Sequence, residues 1–361
     1  MVGKMKMRFT LYPIYSVADA VDREPFDHSL LPFDVIENVR IESVADRFRP
    51  GAFDLGAKRY GNEIKEQLVE EVRYAIVHRY YPKPVFENGE CIGEPQRDRR
   101  SEDLVRQIMA CLRLIRPMRV RALVMRGNVR DDESFDVTGY EIPPLLKVPP
   151  AQALFKLRNQ DCHDLRRYAP KFVSAMQGEV WKFKMAVQFH ELGHFQGLDW
   201  KARYLLWTSA IESIFTTASR DHQGGAVATE RIKWFLRENT SIYAPGDLTR
   251  FEPDPEISVG QIVNAIYNVR NHLAHGDRLP EFYLLEKARQ GLGGPVVIRD
   301  VLLEAISFIV RMSLLKILRE GLTNHFTSAS AAEAYFDSNE LTNSKIDRRR
   351  AIQAGRSPCA R

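Results

Sequence analysis

The stretch YNVRNHLAHGDRLP, Tyr267 to Pro280, places Arg270, Asn271, His272 and His275 within six residues and follows them with Gly276. It closes a segment whose apolar residues Val259, Ile262, Val263, Ile266, Val269 and Leu273 recur at spacings of three and four. That spacing predicts an amphipathic helix, with Ser258 as its cap and Gly276 as its stop in the left-handed conformation. The polar groups therefore crowd the turn where the helix ceases to be core.

Working outward, the same periodicity repeats. Tyr204, Trp207, Ile211, Ile214 and Ala218 form one stripe, a shorter helix fits VATERIKWFLREN (227–239), and the loop YAPGDLTRFEPDPE (243–256) breaks the pattern with three prolines and a glycine. A last long helix after Pro295 runs on Ile298, Val301, Leu302, Ala305, Phe308, Ile309 and Met312. Strong stripes on successive helices with few strands between them predict an antiparallel helical bundle over residues 151–325. A basic tail, 326–361, carries the run KIDRRRAIQAGR (345–356) and reads as solvated and disordered.

Residues 1–150 have a different texture. MRFTLYPI and FDVIENVRIESV alternate as half-buried strands do, and RYAIVHRYY is rich in branched and aromatic residues, as a third strand would be. Ser101 is placed to cap a helix that Pro117 ends, and the paired prolines of GYEIPPLLKVPPAQ (139–152) suit a connector between domains. The fold class expected is α+β: a mixed α/β N-terminal domain, with a sensing or recruiting role, followed by the helical domain.

Composition narrows the class. The chain has 361 residues, 44 % apolar and 27 % charged, the balance of a globular protein long enough for two domains. It has no run of about 18 apolar residues to span a membrane and no apolar core of a signal peptide. Cys91, Cys111, Cys162 and Cys359 are scattered without a CxxC pair, as reduced thiols of a cytoplasmic protein are. A formal charge of +5 permits nucleic-acid binding without requiring it. The segment from Val105 to Gly127 carries Arg106, Arg113, Arg116, Arg119, Arg121 and Arg126 and no acid, so it reads either as a guide for RNA or as a solvated face.

An amphipathic helix containing LLWTSAIESIF (205–215), a variable helix, then IYNVRNHLAHG and a final long helix resemble a HEPN domain of the ApeA-like kind, over about residues 165–320. The hallmark of that superfamily is an arginine, often followed by asparagine, with four to six residues between it and a histidine. Arg270, Asn271 and His275 match it, and Glu212 matches the acidic residue of the AIESIF helix. The resemblance implies a metal-independent endoribonuclease acting on RNA as a homodimer, without cofactor, in antiviral defence or a toxin–antitoxin system. RNA cleavage needs a proton acceptor, a proton donor and a cation for the charged phosphorane; histidine and arginine supply these. His272 reads as a capping or phosphate-contacting residue. The alternative is an inactive HEPN-like interaction module, in which these groups only complement the end of a helix.

A rival motif precedes it. FHELGHFQG (189–197) spells HExxH, which puts His190 and His194 on one helical face to bind zinc, with Glu191 as general base of a metallopeptidase. The third ligand is missing, since Trp200 stands where it is needed and Asp199 comes one residue early. Both histidines also continue the stripe of Val180, Phe183 and Val187, so the pair reads equally as part of a packed face.

Overall fold

The computed structural model describes residues 6–15, 26–44, 47–48, 72–83, 85–87, 90–93, 98–116, 124–141, 157–195, 197–216, 224–236, 259–284, 286–287 and 296–338. The architecture is mixed α+β, in two compact units, Met1–Ser174 and Ala175–Arg361. The division falls inside a helix, Asn159–Gln177, rather than in the proline-rich connector, whose residues beyond Glu141 lie outside the described ones. Among the described residues no helix is long and apolar enough to cross a membrane.

The N-terminal unit is an antiparallel six-stranded sheet built from β1 (Arg8–Tyr15), β2 (Phe33–Ile36), β3 (Val39–Ser43), β4 (Val72–Tyr80), β7 (Val124–Val129) and β8 (Phe135–Glu141), in the order β2-β3-β4-β1-β7-β8. β5 (Val85–Glu87) and β6 (Glu90–Gly93) form a separate hairpin. The segment FDVIENVRIESV is two strands, not one. Asn38 adopts φ 60° and turns the chain after Ile36, which pairs with Val39; asparagine tolerates this left-handed conformation, as two-residue hairpin turns require.

β1 also departs from the half-buried pattern, because Phe9 to Ile14 are all buried. It is a central strand, with Phe9 and Leu11 in an apolar cluster with Ala75, Val77, Met125 and Phe135. Helix α1 (Arg99–Ile115) packs against β1 and β4. Its cap is Asp98, whose carboxylate accepts from the Arg100 and Ser101 amides; Ser101 instead meets His78 Nδ1 at 2.7 Å.

The arginine-rich segment is largely paired. Arg126 meets the buried Glu102 at 2.9 Å, Arg106 meets Glu141 at 2.6 Å, and Arg116 meets Asp161 on helix α2 (Asn159–Gln177) at 3.2 Å. Arg113 is buried; Arg119 and Arg121 lie outside the described residues. The acids absent from the segment come from elsewhere in the same unit and pair with three of these arginines.

The C-terminal unit is helical: α3 (Trp181–Leu192), α4 (Trp200–Phe215), α5 (Gly224–Phe235), α6 (Val259–His275), α7 (Ile298–Glu320) and α8 (Ala329–Asp337). A two-residue ribbon, β9 (Glu286–Lys287) with β10 (Val296–Val297), means that it is not purely α. α4 is central, packed against α3, α5, α6 and α7. Its stripe Tyr204, Trp207, Ile211 and Ile214 is fully buried, as are Val263, Ile266 and Val269 of α6 and Ala305 and Ile309 of α7. Ser258 and Ala218 lie outside the described residues. The unit also extends past residue 325, where the basic tail was expected to begin: Phe326 and Phe336 are buried together, and α8 starts with a Ser328 cap. Residues 339–361 lie outside the described residues.

Two buried cations close the far end of α4. Lys182 Nζ donates to the Thr216 carbonyl at 2.7 Å and Arg231 Nη1 to the Phe215 carbonyl at 3.0 Å. Both carbonyls belong to the helix end that lacks intrahelical partners, where positive charge is favoured.

Candidate functional site

α6 ends in a Schellman motif. Gly276 takes φ 74°, its amide donates to the Leu273 carbonyl at 3.4 Å, and the Asp277 amide donates to His272 at 2.8 Å. The helix therefore runs through His275, which is exposed at its last position. Five residues on an α-helix turn a side chain by ~140°, so Arg270 and His275 of one chain face different ways.

Arg270 is half-buried and turned toward α4. Its Nη2 lies 3.2 Å from Glu212 Oε1 and 3.4 Å from Oε2, while Nη1 donates to Asn271 Oδ1 at 3.3 Å. Burial holds the Glu212 carboxyl above the usual carboxylate range, and Arg270 pulls it back only part of the way. The half-buried pair can do two things chemically: present a fixed positive charge to an anion and hold a carboxyl that burial makes readier to keep its proton than an exposed one.

The structure thus brings together Arg270, Asn271 and Glu212. His272 and His275 make no side-chain hydrogen bond or ion pair with them among the described residues. Sequence reading missed Tyr267, one turn before Arg270. Its ring is 6 % exposed, and burial, reinforced by the negative charge of Glu212, pushes its phenol far up. The signal that points to it is the three- and four-residue spacing to Arg270 and Asn271, which places all three on adjoining helix positions.

The HELGH histidines lie apart from this cluster, at the end of α3. His190 is 0 % exposed and His194 2 %. Their Nε2 atoms are 3.4 Å apart, and His190 Nε2 is 3.1 Å from Ser307 Oγ on α7. Trp207 packs against both rings, stacked on His190 and edge-on to His194, and donates its indole N–H to the His190 carbonyl at 2.9 Å. Glu191 Oε1 stands 4.0 Å from His190 Nδ1. Asp199 caps α4 by accepting from the Ala202 amide at 2.7 Å. Among the described residues no three His, Cys, Asp or Glu side chains are grouped to hold a metal ion. The two enclosed imidazoles form a Ser307–His190–His194 chain within a packed polar seam.

Cys111 and Cys162 are buried free thiols. Burial raises both, Cys162 to about 12, which leaves neither as an activated nucleophile.

The chain matches no family model, no curated protein sequence and no solved structure.

Proposed function

We propose that the C-terminal unit is a HEPN-type helical bundle and a metal-independent endoribonuclease, working as a homodimer in prokaryotic antiviral defence or a toxin–antitoxin system. One observation carries the reading: the Arg270–Glu212 pair joins the two segments on which the resemblance rests, with Asn271 holding the second guanidinium nitrogen.

In this reading Arg270 offers its fork to the non-bridging oxygens of a scissile phosphodiester. The neighbouring 2′-oxygen attacks phosphorus, its proton passes to a His275 imidazole, and the P–O5′ bond breaks. The departing 5′-oxygen takes a proton from a second acid, either Glu212 or the other protomer's histidine. The products are a 2′,3′-cyclic phosphate and a 5′-hydroxyl end. One chain turns Arg270 and His275 apart, so a two-fold arrangement in which one protomer's His275 complements its partner's Arg270 completes the set.

The deciding experiment is cleavage of single-stranded RNA by wild type, Arg270→Ala and His275→Ala, each with and without EDTA. Cleavage that survives chelation and is lost in both variants supports the reading. Cleavage lost in EDTA and restored by zinc transfers the chemistry to His190, Glu191 and His194. Wild-type protein that binds RNA without cutting it leaves the inactive binding module.

A further inference from the structure

The hairpin between β7 and β8 carries a glutamate where the backbone asks for glycine. The Glu133 amide donates to the Arg130 carbonyl at 3.0 Å and the Arg130 amide to the Ser134 carbonyl at 3.0 Å, which closes the turn, and Glu133 takes φ 62°. Glycine is the usual residue at such a left-handed loop position, because a Cβ there crowds the backbone. What glutamate brings instead is its carboxylate: Glu133 Oε2 accepts from Arg79 Nη1 at the end of β4.

A second, buried carboxylate meets the same arginine. Glu42 of β3 is 1 % exposed, and its Oε2 accepts from Arg79 Nη2 at 2.7 Å and from Arg47 Nη1 at 2.8 Å. Arg79 does not engage Glu42 as a two-bond fork, since its Nε and Glu42 Oε1 are buried and make no hydrogen bond. Its remaining nitrogen, Nη1, goes to Glu133. Two guanidiniums thus share one buried carboxylate, which leaves one positive charge over. Glu133 balances it from the solvent side, with 63 % of its side chain exposed. The hydrogen bond from Arg79 holds the Glu133 carboxyl below its ordinary value, and the charges of Arg79, Arg47 and Arg40 act in the same direction.

We propose that Glu133 is a built-in plug whose carboxylate occupies the place of a phosphate monoester bound between Arg79 and Arg47. The spacing favours phosphate over another carboxylate. Glu133 Oε2 bonds Arg79 yet stops 4.0 Å from Arg47 Nη1. The oxygens of a phosphate spread over a tetrahedron and accept from both arginines at once. Arg79 and Arg47 keep their places on Glu42 through the exchange, and only the exposed glutamate leaves. The site lies in the N-terminal unit and does not depend on the ribonuclease reading.

The test uses inorganic phosphate as the probe, at constant ionic strength, with binding followed by calorimetry on the full chain. An Arg270→Ala background silences the other phosphate-holding candidate. Glu133→Gln should then bind phosphate about tenfold more tightly, since the plug weakens and one repelling charge is gone. Glu133→Gly, which also suits the turn, should gain at least as much. Asp131→Asn removes a neighbouring charge from the same loop and should alter affinity less than twofold. Adding Arg47→Ala to Glu133→Gln should reverse the gain, while Arg79 still holds the buried Glu42.

A Glu133→Gln affinity within twofold of its parent overturns the plug. So does an equal gain in Asp131→Asn, which would make the effect one of net charge, or a gain that survives Arg47→Ala. Acetate bound as tightly as phosphate overturns the assignment of the ligand. Displacement of phosphate by ribose 5-phosphate identifies a small monoester as the occupant, and displacement by a 5′-phosphorylated oligoribonucleotide alone identifies an RNA end. Displacement by neither overturns the proposal.

Discussion

Arg270 and Glu212 stand 58 positions apart in sequence and 3.2 Å apart in space, tying α6 to α4 through one guanidinium nitrogen. The pair is partly exposed, so its coupling should be modest. A double-mutant cycle with Arg270→Ala, Glu212→Gln and the double variant, read by urea denaturation, should give about 1 kcal/mol. A coupling indistinguishable from zero would mean that the two charges merely adjoin.

Glu212 should also leave a mark on the pH dependence of stability. Its folded-state pKa lies above the unfolded value because burial outweighs Arg270. The folded chain therefore holds this proton longer, and stability falls as pH rises through the window just above the ordinary glutamate value. Glu212→Gln should abolish that fall; an unchanged slope in the variant would assign it to other groups.

Lys182 has the opposite sign of slope. Burial, assisted by the positive charge of Arg231, lowers it from 10.5 to about 8. Between those values the unfolded chain binds more protons, so stability rises with pH above about 8, and the cost of the buried charge is fully present below it. Measurements from pH 7.5 to about 9.5, below the range where exposed phenols ionise, should show the rise in wild type and not in Lys182→Met.

Gly193→Ala should damage the unit that carries the site. A Cβ there would stand 2.2 Å from Trp207 Nε1, and the indole cannot retreat while it holds the His190 carbonyl and packs on both imidazoles. Forced overpacking of this kind costs about 1–3 kcal/mol. A variant with the wild-type urea midpoint would show that Trp207 is free to move.

If cleavage uses a shared site, specific activity should decline on dilution below the dimer dissociation constant. Mixing wild type with excess His275→Ala protein should inhibit by forming hybrid dimers. A protein that light scattering finds monomeric at assay concentration, and that cuts RNA with undiminished specific activity, would refute the shared site.

Much of this was legible in the order of residues. The stripes of α4, α6 and α7 appear as repeats of three and four because each residue's angle about its own helix axis follows from its position. The left-handed stop at Gly276 was legible for the same local reason: only glycine takes that conformation without cost. The turn at Asn38 was harder, since alternation continues on both sides of it and only strand pairing distinguishes one strand from two. Asp98 and Ser101 are both good caps, and the choice between them was made by His78, which engages the serine.

Periodicity reports how a residue relates to its own element; burial and charge pairing are set by whatever else in the chain arrives beside it. HELGH puts two histidines on one face in any helix, but Trp207 and Ser307, brought in by α4 and α7, enclose them. Arg106, Arg116 and Arg126 look unopposed in the sequence until Glu141, Asp161 and Glu102 meet them in the fold. Arg270 and Asn271 announced a candidate site by their spacing to His275. That Arg270 is held by Glu212, and that an unsatisfied Tyr267 hydroxyl stands one turn away, was decided only when α4 and α6 packed, because a half-buried charge takes the partner that packing leaves within reach.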